Sequence, residues 1–418
     1  MDKFVIKGGA RLHGEIEVEA SKNSILPIIS ASLLTDKEVI INNVPEISDL
    51  FKMVEILKSI GGKVDYLKKD KVLIIKNDNI SSFEIPERLA SELRSSFFIL
   101  GPMISRFKKA KVSYPGGCDI GSRPIDLHLF GLRELNVKID EEYGFISCNG
   151  NKIKPNVVHL DFPSVGATEN IMMASVLVRG ETIILNPAKE PEIVDLANFI
   201  NMLGGDIIGA GTNKIVITGV NKLYGGSYTP IADRIVAGTY MIAGALTGGR
   251  VTIKNVVAEH IFSLVNKLRK SGCNIEIDNG IISVDSVSRT QSISFDTQPY
   301  PGFPTDLQPQ LTVLESVSKG ISIVTENLFE TRFRHLQEMM KMGANITFRD
   351  RTAIIKGVEK LHSANVVAHD LRGGSALTLA GLVADGTTVV ENVNFIDRGY
   401  ERLEEKLEIL GAEIKRLK

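Results

Sequence analysis

Residues 200–207 read INMLGGDI, and the same eight-residue phrase returns five more times: LKSIGGKV ending at Val64, LRELNVKI at Ile139, LRKSGCNI at Ile275, MMKMGANI at Ile346 and LEILGAEI at Ile414. Successive copies end 75, 68, 68, 71 and 68 residues apart. Glycine fits the left-handed position just past a helix C-terminus, which closes the last turn. The second copy has Asn136 there, the next residue best able to adopt that conformation. The phrase therefore predicts a helix end and a following strand six times over.

A second signature precedes most copies: glycine, a β-branched strand, then asparagine. Examples are GETIILN ending at Asn186, GRVTIKN at Asn255, GISIVTEN at Asn327 and GTTVVEN at Asn392. Ala/Gly-rich helices are predicted before these strands, as over 232–247 and 375–384, with hairpin strands such as 353–356 after the caps. A unit thus reads helix, strand, helix, strand, which is an α/β pattern. A period near 70 exceeds the roughly 20–50 residues of common solenoids. Two domains of three units each are expected, 22–230 and 1–21 plus 231–418, with the active site in the cleft between them. The seam is expected at the turn-like residues 225–230, GGSYTP. Strand 3–6 and the stretch 14–20 stand before the first full helix and can join either half.

The 418 residues exceed one core, and 43% of them are apolar. Lys plus Arg is 49, Asp plus Glu is 50 and the net charge is −1. That balance gives no electrostatic case for nucleic acid or an anionic membrane, so any anion site must come from local clustering. Cys118, Cys148 and Cys273 are too few and scattered for a disulfide framework, which points to a reducing compartment. The charged, alternating start has no signal-peptide apolar core. No apolar run reaches the roughly 18 residues of a membrane span. A cytoplasmic protein is expected.

The candidate chemistry begins at residues 115–124, PGGCDIGSRP. Three glycines let this loop bend tightly, and it offers Cys118 with Arg123 five residues on. A cation near a thiol lowers its pKa from about 8.5 and makes it reactive. Lys22 and Asn23 open the predicted helix 24–34. Arg94 (SELRSS), Arg332 (ETRFRH), Arg372 (HDLRGG) and Arg398 (IDRGYE) stand at strand ends or helix starts, where free N–H groups already favour anions. Any one of them alone reads as a surface ion pair of little worth; their recurrence in equivalent repeat positions argues for one anion site. Asp306 lies among Pro301, Pro304 and Pro309, which stiffen its turn. By residue type it reads as the N-cap of a helix over 307–318. His128 reads as structural, since nothing near it has metal-ligand spacing. No metal or nucleotide-binding motif is present, so no metal and no cofactor are expected.

Taken together, SKNSILP at 21–27, LRSS at 93–96, GGCDIGSRPIDLH at 116–128, SVGAT at 164–168, EPEIVD at 190–195, FPTDLQ at 303–308, DLR at 370–372 and IDRGYE at 396–401 resemble the UDP-N-acetylglucosamine 1-carboxyvinyltransferase family of enolpyruvyl transferases. The resemblance covers the whole chain. It implies two similar domains, each an inside-out α/β barrel of three βαβαββ-type repeats with buried helices. It implies transfer of the enolpyruvyl group of phosphoenolpyruvate to the 3′-hydroxyl of UDP-N-acetylglucosamine, with phosphate released. By the same resemblance Cys118 is a general acid, and Lys22, Arg123 and Arg398 form a phosphate clamp. Arg332 and Arg372 form a carboxylate clamp, and Asp306 takes the sugar hydroxyl's proton. Asn23 meets both substrates. Arg94, Arg123, Pro124, Ile125, Asp126, Leu127, Ser164, Val165, Gly166, Asp306 and Leu328 fall where the family contacts the UDP-sugar. Some relatives carry a diphosphate-binding lysine where Phe162 stands here. The implied partners are the two small molecules alone, with a monomeric protein. The rival readings are the sister enzyme acting on 3-phosphoshikimate and a non-catalytic UDP-sugar sensor.

Overall fold

Every predicted helix end is a left-handed cap. Gly61, Asn136, Gly204, Gly272, Gly343 and Gly411 have φ between 62° and 105°. In each case that residue's N–H bonds to the carbonyl three residues back, and the next N–H to the carbonyl five back. Gly272 to Arg269 and Cys273 to Leu268, both 3.0 Å, are typical. This pairing satisfies carbonyls that a helix end otherwise leaves open. The first residue of each phrase (Leu57, Leu132, Ile200, Leu268, Met339, Leu407) is fully buried, worth about 1.5–3 kcal/mol apiece. The cap therefore locks a helix whose last turn is anchored in a core.

The computed structural model describes residues 2–114, 125–286 and 289–418. They form two units, 20–114 with 125–231 and 2–19 with 232–418, each around its own apolar core. Counting by cap phrase, the first unit holds repeats one to three and the second holds repeats four to six.

One sheet pattern recurs. A parallel edge strand lies beside the strand that ends in asparagine, and a hairpin of two antiparallel strands follows. In repeat three the order is Ile207–Ile208, Lys214–Thr218, Glu181–Leu185, Val157–His159. In repeat five it is Asn345–Arg349, Thr352–Lys356, Ile321–Thr325, Phe295–Asp296. Three sheets borrow a strand from far along the chain. His13–Glu17 is the parallel edge of repeat four, beside Arg250–Lys254. Lys3–Lys7 sits between Thr387–Glu391 and Glu413–Leu417 in repeat six.

The third loan corrects an expectation. Residues 225–230 hold a strand, Gly226–Tyr228, parallel to Glu38–Ile41. Tyr228 anchors it through its hydroxyl to Asp195 Oδ1 at 2.6 Å, so two glycines did not make a turn. The sheets among the described residues stay open, one main sheet to each repeat, in keeping with the implied α/β units built round buried helices.

The first helix of each repeat is apolar on nearly every side and therefore buried. These helices are Lys22–Ala31, Leu100–Phe107 and Val165–Ser175 in one unit, and Arg234–Thr247, Gln308–Val317 and Leu371–Val383 in the other. The second helices, such as Ser48–Ser59 and Arg334–Lys341, carry the caps. The polar residues of interest stand where these helices begin.

Candidate active site

In the unit of 2–19 and 232–418, three sequence-predicted residues meet. Asp306 Oδ1 lies 2.7 Å from Arg332 Nη2, and Asp306 Oδ2 lies 3.0 Å from Arg372 Nη2. Both guanidinium side chains are 3% exposed, against 24% for the carboxylate. The N-cap reading of Asp306 is overturned. The helix starts at Gln308 after a 3-10 turn, Thr305–Leu307, and no side chain caps it. A carboxylate offered two buried guanidinium groups gains more there than from one backbone N–H.

Local structure sets each member. Asp370 caps helix Leu371–Val383 by accepting from the N–H groups of Arg372 and Gly373, so Arg372 rides its first turn. Burial opposes the Arg372 charge, but Asp306, with Tyr400 and Asp233 adding to it, raises its pKa overall. Arg332 precedes helix Arg334–Lys341, and its carbonyl lies 3.2 Å from His335 Nδ1. Burial holds His335 neutral, with its pKa lowered to about 4. Arg332 Nε and Arg372 Nη1 are buried without a hydrogen-bond partner. Leu328 is held by Glu326, whose buried carboxylate accepts from Leu328 N–H and from Thr305 Oγ1, both at 2.9 Å. Arg398 ends the 3-10 turn Val393–Arg398 and is half-buried.

The other unit carries the remaining described candidates. Lys22 is the first residue of its helix, and its Nζ lies 2.7 Å from Asp49 Oδ2, a carboxylate only 1% exposed. Asn23 follows it, half-buried. Arg94 opens the 3-10 turn Arg94–Ile99. Ile125 precedes helix Asp126–Glu134, of which Asp126 and Leu127 are the first residues. Ser164 caps helix Val165–Ser175, accepting from Ala167 N–H. A Cβ on Gly166 would sit 2.6 Å from His128 Cε1, so only glycine fits there. His128 accepts from Asn170 Nδ2 at 2.8 Å through Nδ1, and the same amide nitrogen also donates to Phe97 O. Burial, with Arg94 nearby, lowers the His128 pKa to about 3. It is a neutral supporting side chain, as its lone position suggested. Phe162 is half exposed.

Cys118, Arg123 and Pro124 lie outside the described residues. Reading the sequence missed Asp49, Glu326 and Tyr400. Asp49 sits in the first turn of its helix, where acids are favoured anyway, so its type carried no functional signal. Among the described residues no group of three or more His, Cys, Asp or Glu could hold a metal ion, and no helix is long and apolar enough to cross a membrane.

The comparisons with known proteins give the family. The family model described as EPSP synthase (3-phosphoshikimate 1-carboxyvinyltransferase) matches residues 6–407. The chain belongs to the enolpyruvyl transferase family. A family member from Caldanaerobacter subterraneus subsp. tengcongensis, UDP-N-acetylglucosamine 1-carboxyvinyltransferase 2, is 51% identical over 418 residues, 100% of each chain. UDP-N-acetylglucosamine 1-carboxyvinyltransferase of Thermotoga maritima is 46% identical over 417 residues, 99% of each. Among solved structures, the enolpyruvyl transferase NikO from Streptomyces tendae superposes with a TM-score of 0.90 at 23% identity, over 99% of this chain and 98% of its own. EPSP synthase from Acinetobacter baumannii gives 0.75 at 18%, over 100% of both. These two likenesses establish the family fold. Family membership makes the chain a transferase.

Proposed function

We infer that this chain moves the enolpyruvyl group of phosphoenolpyruvate onto the 3′-hydroxyl of UDP-N-acetylglucosamine and releases phosphate, the first committed step of peptidoglycan precursor synthesis. The observation that carries the reading is full-length identity of 45–51% to relatives bearing that activity's name. The acceptor reading follows from them. The sister activity on 3-phosphoshikimate is less supported, because the relatives at this identity bear the other name. In this reading the protein acts in the cytoplasm as a monomer.

The roles follow from charge. The phosphate of phosphoenolpyruvate carries about −1.5 to −2 near neutral pH, and its carboxylate adds one more. Arg332 and Arg372 take the carboxylate, since planar forks suit it bidentately. Lys22, Arg123 and Arg398 take the phosphate. The sugar oxygen attacks C2 of phosphoenolpyruvate while its proton passes to Asp306 and Cys118 delivers a proton to C3. The product of this addition is a tetrahedral ketal. Expulsion of phosphate from C2, with loss of a proton from C3, then leaves the enol ether. A carboxylate is a weak base for an alcohol, so Asp306 acts as the hydroxyl acidifies during attack, and placement supplies most of its effect. The reading requires the Lys22 and Asp306 sets to act on the same pair of substrates.

A coupled phosphate assay tests the reading. Phosphate is expected from phosphoenolpyruvate with UDP-N-acetylglucosamine and none with 3-phosphoshikimate, and Cys118→Ser is expected to lose at least about 10² in rate while keeping substrate binding. The opposite acceptor preference would reassign the activity, and silence with both acceptors would leave a sugar-binding sensor. A fully active serine variant would remove Cys118 from the chemistry.

A further inference from the structure

Polar groups that the proposed chemistry does not use gather beneath Arg372. Tyr400 is 1% exposed and stands two residues beyond Arg398. Its hydroxyl lies 2.8 Å from Thr239 Oγ1 and accepts from Gln310 Nε2 at 3.1 Å. Thr239 Oγ1 gives its own hydrogen to Ile235 O at 2.9 Å, so Tyr400 is the donor of the pair. Gln310 Nε2 also reaches Ser375 Oγ at 3.2 Å, and Ser375 Oγ donates to Arg372 O at 2.9 Å. Thr239, Gln310 and Ser375 come one each from the three buried helices of this unit. The Arg372 guanidinium carbon stands 5.5 Å from the centroid of the Tyr400 ring.

Gln310 Nε2 also lies 3.4 Å from Thr239 Oγ1, so its two hydrogens serve three acceptors and the network joins all three helices. The phenol donates to Thr239, receives from Gln310 and presents its ring to the cation, an attraction that strengthens where water is excluded. Arg372 keeps Nη2 on Asp306 and has Nη1 unpartnered. The ring therefore bears on the plane of a fork that still has an arm to offer.

We propose that Tyr400 is a positioning residue for phosphoenolpyruvate: its hydroxyl bonds to two of the three buried helices, through Thr239 and Gln310, and Gln310 carries the link to Ser375 on the third; its ring orients the Arg372 guanidinium, and its short chain link to Arg398 sets both cations from one point. The proposal rests on the reading of the chain as a phosphoenolpyruvate-dependent transferase. A phenol serving only the core would affect both substrates alike. A phenol orienting Arg372 affects one.

The test is steady-state kinetics on the full chain carrying Tyr400→Phe, with Thr239→Val as a second variant that keeps the phenol and removes its acceptor. Tyr400→Phe is expected to raise KM for phosphoenolpyruvate about tenfold, the effect of losing one buried hydrogen-bonding group, with KM for UDP-N-acetylglucosamine within about twofold of wild type. Thr239→Val is expected to shift the same constant in the same direction, about threefold. An equal rise in both KM values, or no rise for phosphoenolpyruvate, overturns the proposal. If the phenylalanine variant does not fold, the valine variant decides alone. Calorimetric titration of phosphoenolpyruvate into wild type and variants reads the same contact without turnover. Wild type that binds phosphoenolpyruvate but releases no phosphate with any acceptor refutes the functional reading; variants that bind it as tightly as wild type refute the role of Tyr400.

Discussion

In the first repeat a cation opens the first helix and a carboxylate answers from the second, with Lys22 Nζ 2.7 Å from Asp49 Oδ2. In the fifth repeat a carboxylate stands at the opening of the first helix and a cation answers from just before the second, with Asp306 Oδ1 2.7 Å from Arg332 Nη2. The two scaffold positions are equivalent and the charges are exchanged. In both pairs the second-helix member is the more deeply buried, 1% against 13% and 3% against 24%. The shallow member of each pair is the more open to solvent. Both shallow members, Lys22 and Asp306, are the ones the resemblance marks as reactive. On the proposed function, one repeat design would supply one unit with a phosphate ligand and the other with a proton acceptor.

The largest effect should come from breaking the fifth-repeat pair. Asp306→Asn leaves two buried guanidinium groups without their anion, and should cost about 3 kcal/mol in urea unfolding and at least about 10² in phosphate release. Wild-type turnover in that variant would end the equivalence as a statement about function. Next comes Lys22→Met, which takes the cation from a carboxylate that solvent barely touches and should cost about 2 kcal/mol. Adding Asp49→Asn should return most of that stability and none of the activity. A double variant as unstable as the single one would show that Asp49 does not serve Lys22.

Repeats two and five allow a sharper comparison through pH. His128 and His335 both stand in the first turn of a second helix, and burial lowers their pKa values to about 3 and about 4. Above pH 6.5 each is neutral whether folded or not, and contributes nothing to pH dependence. Below that, the unfolded chain binds a proton that the native chain refuses, so stability falls as pH drops. At pH 5 each should cost about 2 kcal/mol. Urea midpoints measured from pH 7 to 5 should flatten in part with His128→Gln and separately with His335→Gln. An unchanged acid slope in either variant would acquit that histidine. The smallest effect concerns the caps. Gly272 has φ 98° and open space where a Cβ would go, so Gly272→Ala should cost only the backbone term, about 1–2 kcal/mol. A neutral substitution there would mean that the six caps are not energetically alike.

The caps were legible because one residue type at one position determines their geometry. The α/β class followed from them. The loans of strands were not legible. Gly226–Tyr228 is three residues long with a glycine, and its pairing with Glu38–Ile41 lies almost two hundred residues upstream. The charged residues at helix openings stood out by type and recurrence, but Asp306 was ambiguous until Arg332 and Arg372 were seen on either side of it. Asp49 and Glu326 were invisible because a buried acid that orients another group looks, in sequence, like any helix-start or strand-end carboxylate. Tyr400 lay inside a recognised motif, IDRGYE, yet its hydrogen-bond partners come from Thr239 and Gln310, at the far side of that unit's sequence.

Strand Lys3–Lys7 lies between Thr387–Glu391 and Glu413–Leu417, and this orders events on the ribosome. Synthesis proceeds at about 5–20 residues per second and domains fold as they emerge, so the unit of 20–231 has all its strands while half the protein is still unmade. The first strand must then wait, unpaired, for the last. Deleting Lys3–Lys7 or Glu413–Leu417 would wound the same sheet, and a stalled ribosome would release a chain with one finished half and one that could not close.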